Sequence, residues 1–184
     1  MLIKRSVDQL ITYVDERNAD GTLNDFYGIN INKEFMPTVA NTDSVDACKY
    51  KIVRDNRFVF SGMQTGRDEC IRIGFYKGSK PIIISPAYST FEISAVDEVL
   101  PEYFFMLFLR NEMDRYGWFL SDSSVRANLD SDRFTEITFD LPSVPIQQKY
   151  VNFYAAITRV AKLKAQIKDI CPILIKGSLD EASV

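Results

Sequence analysis

The chain has 184 residues, 46% hydrophobic and 12% aromatic, a composition that builds a globular core and excludes a disordered polymer. It contains no histidine, which removes Ser-His-Asp and Cys-His catalysis and every histidine-ligated metal site. Net charge is −3 but uneven: residues 1–142 carry 16 Lys and Arg against 22 Asp and Glu, whereas residues 143–184 carry 6 against 3.

SVDQLITYVDERN opens with Ser6, a good N-cap, and places Val7, Leu10, Ile11 and Val14 at helical spacing, which predicts a helix. NADGT breaks it. Short strand-like runs follow: FYGINI (26–31), YKIV (50–53), RFVF (57–60), CIRIGFY (70–76), PIII (81–84) and STFEI (89–93). In CIRIGFY the alternation packs Cys70, Ile71 and Ile73 and lets Arg72 reach outward. Residues 49–80 hold eight basic groups against three acidic ones, which reads as one basic stripe suited to a directed anionic contact.

LPEYFFMLFLRNEMDRYGWF predicts a core helix that starts at Pro101 and runs to about Tyr116, with Gly117 ending it. Its centre YFFMLFL is the longest apolar run and is too short to cross a bilayer. MLIKRSVDQ lacks the apolar segment of a signal peptide, so a cytosolic (cytoplasmic) location is expected, with no membrane contact. Next comes SDSSVRANLDSDRF (121–134), small and polar, and then EITFDLP (136–142), a strand stopped by Pro142.

From Val144 to about Cys171 there is no glycine and little to break a helix. Tyr150, Phe153, Ile157, Val160, Leu163, Ile167, Ile170 and Leu174 follow one another at spacings of 3, 4, 3, 3, 4, 3 and 4. This is a narrow coiled-coil-type seam with one stammer, and Pro172 should kink or end it. A lone seam calls for a partner: its own domain, a second copy or another protein. The expected fold is α+β, with a mixed domain over 1–142, a long helix over 143–176 and a tail over 177–184.

Chemistry is hard to find. No phosphate loop of the GxxxxGK[ST] or GxGxxG type occurs, and there is no Asn- or Asp-Pro-Pro-aromatic tetrapeptide. Cys48, Cys70 and Cys171 are widely spaced and without a CxxC pair, which argues against a disulfide framework and a zinc site. The close acidic pairs, Asp68-Glu69 and Asp130/Asp132, sit in turn-like sequence where capping is the commoner job. Neither a catalytic residue nor a metal is expected.

What remains is a binding surface. SGMQTGRDE (61–69) is a loop of small residues with two glycines around Gln64, Thr65 and Arg67, and these side chains can read base edges. An ordinary hairpin with a solvated arginine fits the same residues. Tyr88 in SPAYSTFEI is either a buried tyrosine or a contact. Ser123, Ser124, Arg126 and Asn128 can donate to phosphates or bases, or Asp130 or Ser131 can cap a turn while Arg126 pairs with an acid.

Taken in order, SPAYSTFEI, LPEYFFMLFL, SSVRANLDSDRFTEITFDLP and PSVPIQQKYV resemble the specificity subunits of type I restriction-modification systems. The resemblance covers nearly the whole chain and rests on order and spacing more than on any one motif. Where that family usually has Glu-Gln just after the Leu-Pro at the helix start, this chain has Ile146-Gln147. Typical members have two target recognition domains and two antiparallel helices, so this chain resembles half a subunit.

The resemblance implies a non-catalytic, sequence-specific DNA recognition subunit acting on double-stranded DNA. Methyltransferase (M) and restriction (R) subunits would supply the chemistry, with S-adenosylmethionine, ATP and Mg bound only there. It also implies a homodimer through Tyr150, Phe153, Ile157, Val160, Leu163, Ile167 and Ile170, reading a split DNA target. For DNA contact the sequence favours the 61–67 loop and Arg72, with Arg126 and Asn128 as weaker backbone contacts. The competing reading is a protein–protein adaptor that merely oligomerises through its helix.

Overall fold

The computed structural model describes residues 2–39, 45–63, 65–122, 124 and 127–181, with side chains in the last helix described at 144–168, 170 and 171. Chain contacts divide it into two units, 1–147 and 148–184. Each is described by itself.

The first unit is α+β. Its chain runs β1 (Ile3–Ser6), β2 (Ile11–Tyr13), β3 (Phe26–Ile29), β4 (Phe35–Pro37), β5 (Lys51–Val53), β6 (Phe58–Ser61), α1 (Thr65–Asp68), β7 (Arg72–Phe75), β8 (Ile82–Ile84), β9 (Ser89–Ile93), α2 (Pro101–Phe108), α3 (Asn111–Leu120), α4 (Ser131–Glu136) and β10 (Thr138–Leu141). One four-stranded sheet has the order β2-β9-β6-β7 and is antiparallel throughout. A second has the order β4-β3-β8-β5, with β3 and β8 parallel. β1 and β10 form a separate antiparallel pair.

β6 explains how the layers meet. Its residues are buried on both faces, and strand alternation sends Phe58 and Phe60 one way and Val59 the other. Phe58 and Phe60 enter the main core with Ile71, Ile73, Phe91, Phe104, Phe108 and Phe134. There Phe58 lies between Phe75 and Phe91, with ring centroids 4.4 and 5.1 Å away, and Phe104 meets it edge-on at 5.3 Å. Val59 joins the smaller core of Ile29, Val53, Ile82 and Ile84.

Three sequence expectations are corrected. The segment after Ser6 is not a helix: it is one 3₁₀ turn, Val7–Gln9, between β1 and β2. The apolar spacing is real, since Val7 and Leu10 are fully buried, but pairing with β10 and β9 overrides the helical pattern. Next, the single helix from Pro101 is two, α2 and α3, separated at Leu109-Arg110. Gly117 lies inside α3, where it allows close approach to Ile71: a β-carbon there would stand 2.3 Å from Ile71 Cγ1. Finally, α5 (Val144–Glu181) does not end at Pro172 but continues past it.

The basic stripe of residues 49–80 is also corrected. Seven of its eight cations are held by carboxylates: Lys49 by Asp46, Lys51 by Asp15, Arg54 and Arg57 by Glu16, Arg67 and Arg72 by Asp68, and Lys77 by Glu102. A sequence window counts charge but not the partners that folding brings from residues 15 and 16.

These pairs set an acid limit. Arg54, then Arg57, hold the Glu16 carboxyl below its ordinary range, and Arg5 does the same for Glu98. A carboxylate with a depressed folded pKa stabilises the fold above its unfolded pKa of about 4, and that contribution is lost as pH falls through the folded value. With no histidine, no side chain has an ordinary pKa between about 5 and 8. The urea midpoint is therefore expected to stay flat from about pH 5 to 7 and to drop below about pH 4, less steeply in Glu16→Gln.

Candidate nucleic-acid interface

The β6–β7 connection and the α3–α4 connection are distant in sequence but form one surface. Leu129 N–H donates to Gly62 O at 2.8 Å, and Gly66 N–H donates to Ala127 O at 2.8 Å. The contact is close enough to require glycine on one side. A β-carbon on Gly62 would lie 1.6 Å from Leu129 O, and one on Gly66 would lie 2.4 Å from Ala127 Cβ and 2.6 Å from Ser121 Oγ. Leu129 itself is buried in the main core, so both loops are fastened to it.

Each loop has its own organiser. In 121–130 it is Asp122, whose Oδ1 accepts from Ser124 N at 3.0 Å, Ser124 Oγ at 2.5 Å and Asn128 N at 3.1 Å. These hydrogen bonds, led by the Ser124 hydroxyl, hold its carboxyl below the ordinary range. Ala127 adopts a left-handed φ of 47°. Asp130 closes the loop by capping α4, accepting from Arg133 N at 2.8 Å. In 61–69, Thr65 is fully buried and its hydroxyl donates to Gly62 O at 3.0 Å. Asp68 then holds Arg67 through Nε at 2.8 Å and also engages Arg72.

The structure thus places Thr65, Arg67, Arg72 and Asn128 in or beside one pair of joined loops. Thr65 serves the frame. Arg67 is more than half exposed. Arg72 opens β7 opposite Ser61 and is half-buried. Asn128 stands at the tie to Asp122. Tyr88 sits elsewhere: it packs on the smaller core, and its carbonyl accepts from Lys51 Nζ at 2.8 Å. Gln64 and Arg126 lie outside the described residues.

Other residues were not legible as part of this frame. Lys33 is buried with a left-handed φ of 64°, and its ammonium meets both oxygens of Asp114 at 2.8 and 2.7 Å. Asp114 also accepts from Ile71 N at 3.0 Å, so it joins α3 to the entry of β7. Burial pushes the neighbouring Cys70 thiol up, which marks it as an unreactive core thiol. Among the described residues, no group of three or more Cys, Asp or Glu is arranged to hold a metal ion, and no helix is long and apolar enough to cross a membrane.

In the second unit, the seam residues of α5 are exposed in the single chain, Phe153 at 67% and Val160 at 64%. Tyr150, Ile157, Leu163, Ile167 and Ile170 are exposed as well. The helix has 38 residues, a length of about 57 Å.

No family model and no curated protein matches this sequence. Solved structures do match. One is the S subunit of a type I restriction-modification system from M. genitalium, with a TM-score of 0.56 at 12% identity over 92% of this chain and 42% of that one. Another is a chain from a structure of type I R-M complex assembly and conformational transition, with a TM-score of 0.55 at 10% identity over 90% of this chain and 40% of that one. The chain spans about two-fifths of the length of these structures, and over that length it has the fold of a type I restriction-modification S subunit.

Proposed function

We propose that this protein is a DNA specificity subunit of a type I restriction-modification system, directing methyltransferase and restriction subunits to a split target. One observation carries the reading: over nearly all of its length the chain has the fold of about two-fifths of an S subunit, and this chain's own α5 carries an exposed apolar seam. A recognition domain and one helix are half of the arrangement that the sequence resembles. Two copies related by a two-fold axis would restore the whole, with the seam of α5 as the isologous contact.

In this arrangement the chain performs no reaction. The joined loops 61–69 and 121–130 meet double-stranded DNA, and α5 sets the distance between the two half-sites. The neutralised basic groups of the first unit suit a division of labour in which partner subunits supply much of the phosphate grip.

The test is selection from a random duplex library with the protein and a methyltransferase subunit of the same genome. A split palindrome with a fixed spacer is expected. A single asymmetric half-site would retain the recognition role and remove the two-fold dimer. No enrichment from a folded, co-purifying complex would leave only an oligomerising adaptor.

A further inference from the structure

We propose that four cations of α5, Arg159, Lys162, Lys164 and Lys168, grip the phosphates of double-stranded DNA without regard to sequence. The assignment rests on the DNA-recognition reading and goes beyond it, by giving this chain a phosphate-binding face apart from the loops that read bases.

The cations of the two units are in different states. In the first unit they are mostly held by acids: seven of the eight at 49–80 are paired, and so are Arg5, Arg17 and the buried Lys33. On α5, Arg159, Lys162, Lys164 and Lys168 are all exposed, and none has an ion pair or hydrogen bond among the described residues. No acidic residue occurs from Val144 to Lys168, so no neighbour along this stretch of helix can neutralise them. Arg159 and Lys162 are three residues apart and Lys164 and Lys168 four, so each pair shares a face. Like charges at these spacings oppose the helix, a cost that an external polyanion relieves.

The residues around the cations indicate what that polyanion is. From Ala155 to Lys168 the seam takes Ile157, Val160, Leu163 and Ile167, and every other position is Ala, Thr, Gln, Lys or Arg. Off the seam the helix therefore offers donors, small side chains and no apolar group larger than a methyl. A protein partner would bury larger apolar side chains there. A phosphate backbone needs what is present: positively charged donors, with small neighbours that admit a close approach. The four charges span about 15 Å of helix, beside a duplex that carries one negative charge per about 1.7 Å of its axis. Because they lie off the seam, pairing of two copies through Ile157, Val160, Leu163 and Ile167 does not use them.

The measurement is the salt dependence of binding to a random duplex and to the duplex enriched by selection, using the full chain with its methyltransferase subunit. The variant carries Arg159→Gln, Lys162→Gln, Lys164→Gln and Lys168→Gln together. Glutamine is a good helix former and removes the like-charge repulsion, so α5 is not weakened. The slope of log affinity against log salt is expected to be flatter by about two or more, since each phosphate contact contributes about 0.9. Both duplexes should lose affinity by the same factor, about tenfold or more at low salt, which keeps the ratio between them. An unchanged slope in an intact complex overturns the assignment and leaves DNA recognition standing. A fall in the ratio overturns it too, by placing these side chains in sequence readout. Loss of the methyltransferase subunit from the variant complex overturns it in favour of a protein-docking face. Failure of the unaltered complex to bind any duplex overturns both readings.

Discussion

Gly62→Ala is expected to destabilise the first unit by about 3 kcal/mol and to abolish sequence selection. The reason is a collision and not backbone strain, since Gly62 is not at positive φ. The added β-carbon would stand 1.6 Å from Leu129 O and 2.7 Å from Leu129 C, and both are backbone atoms that no rotamer change can move. The same residues share the hydrogen bond from Leu129 N to Gly62 O, and Leu129 fills the main core. Relief therefore means parting the two loops, which breaks that bond and withdraws a buried leucine. A urea titration reads the loss, and duplex selection with the folded fraction reads the loop geometry. An unchanged midpoint would mean that the loops are not in contact.

The legibility of this surface was uneven. The two loops were each visible as runs of small polar residues, and their glycines marked them as turns or close approaches. Their meeting was not visible, because Gly62 and Leu129 lie far apart in the chain and nothing in either run names the other. Strands β3 and β5 to β10 were legible from short branched and aromatic runs bounded by turn residues. β1 and β2 were not, because four apolar residues at helical spacing also fit a strand, a turn and a second strand. The pairing with β10 and β9 that settles this is non-local.

Charge was the least legible quantity. The excess of cations at 49–80 is correct as a count, yet Glu16 and Glu92 bury Arg57 between them, and Asp15 reaches Lys51. For Arg67 and Arg72 the acid was in view next door at position 68, but capping is the usual work of such a residue. Its division between two arginines depends on the turn of α1 and the register of β7, which only the fold provides. Similarly, the buried Lys33 looks like any surface lysine in sequence, and only Asp114, eighty-one residues away, accounts for its burial.

Gln147→Leu is expected to be the most damaging change at the junction with α5, costing about 3 to 4 kcal/mol. Gln147 is fully buried and all of its polar atoms are used. Oε1 accepts from Leu100 N at 2.9 Å, while Nε2 donates to Glu98 O at 2.7 Å and to Pro142 O at 2.8 Å. It thereby holds the first turn of α5 to the start of α2 and the end of β10, within the first unit. Leucine matches the volume but strands one donor and two acceptors, each worth about 1–3 kcal/mol when left unmade. Gln147→Glu separates this account from a packing effect. A carboxylate keeps the bond to Leu100 but sets a second oxygen against two carbonyls, so the group resists ionisation and its folded pKa rises. Its protonated form regains one donor. Relative to the unaltered protein, Gln147→Glu should therefore be least stable near pH 7 and recover toward about pH 5, whereas Gln147→Leu should show the same deficit at both. Equal deficits for the two variants at both pH values would place the effect in packing and remove the hydrogen-bond lock.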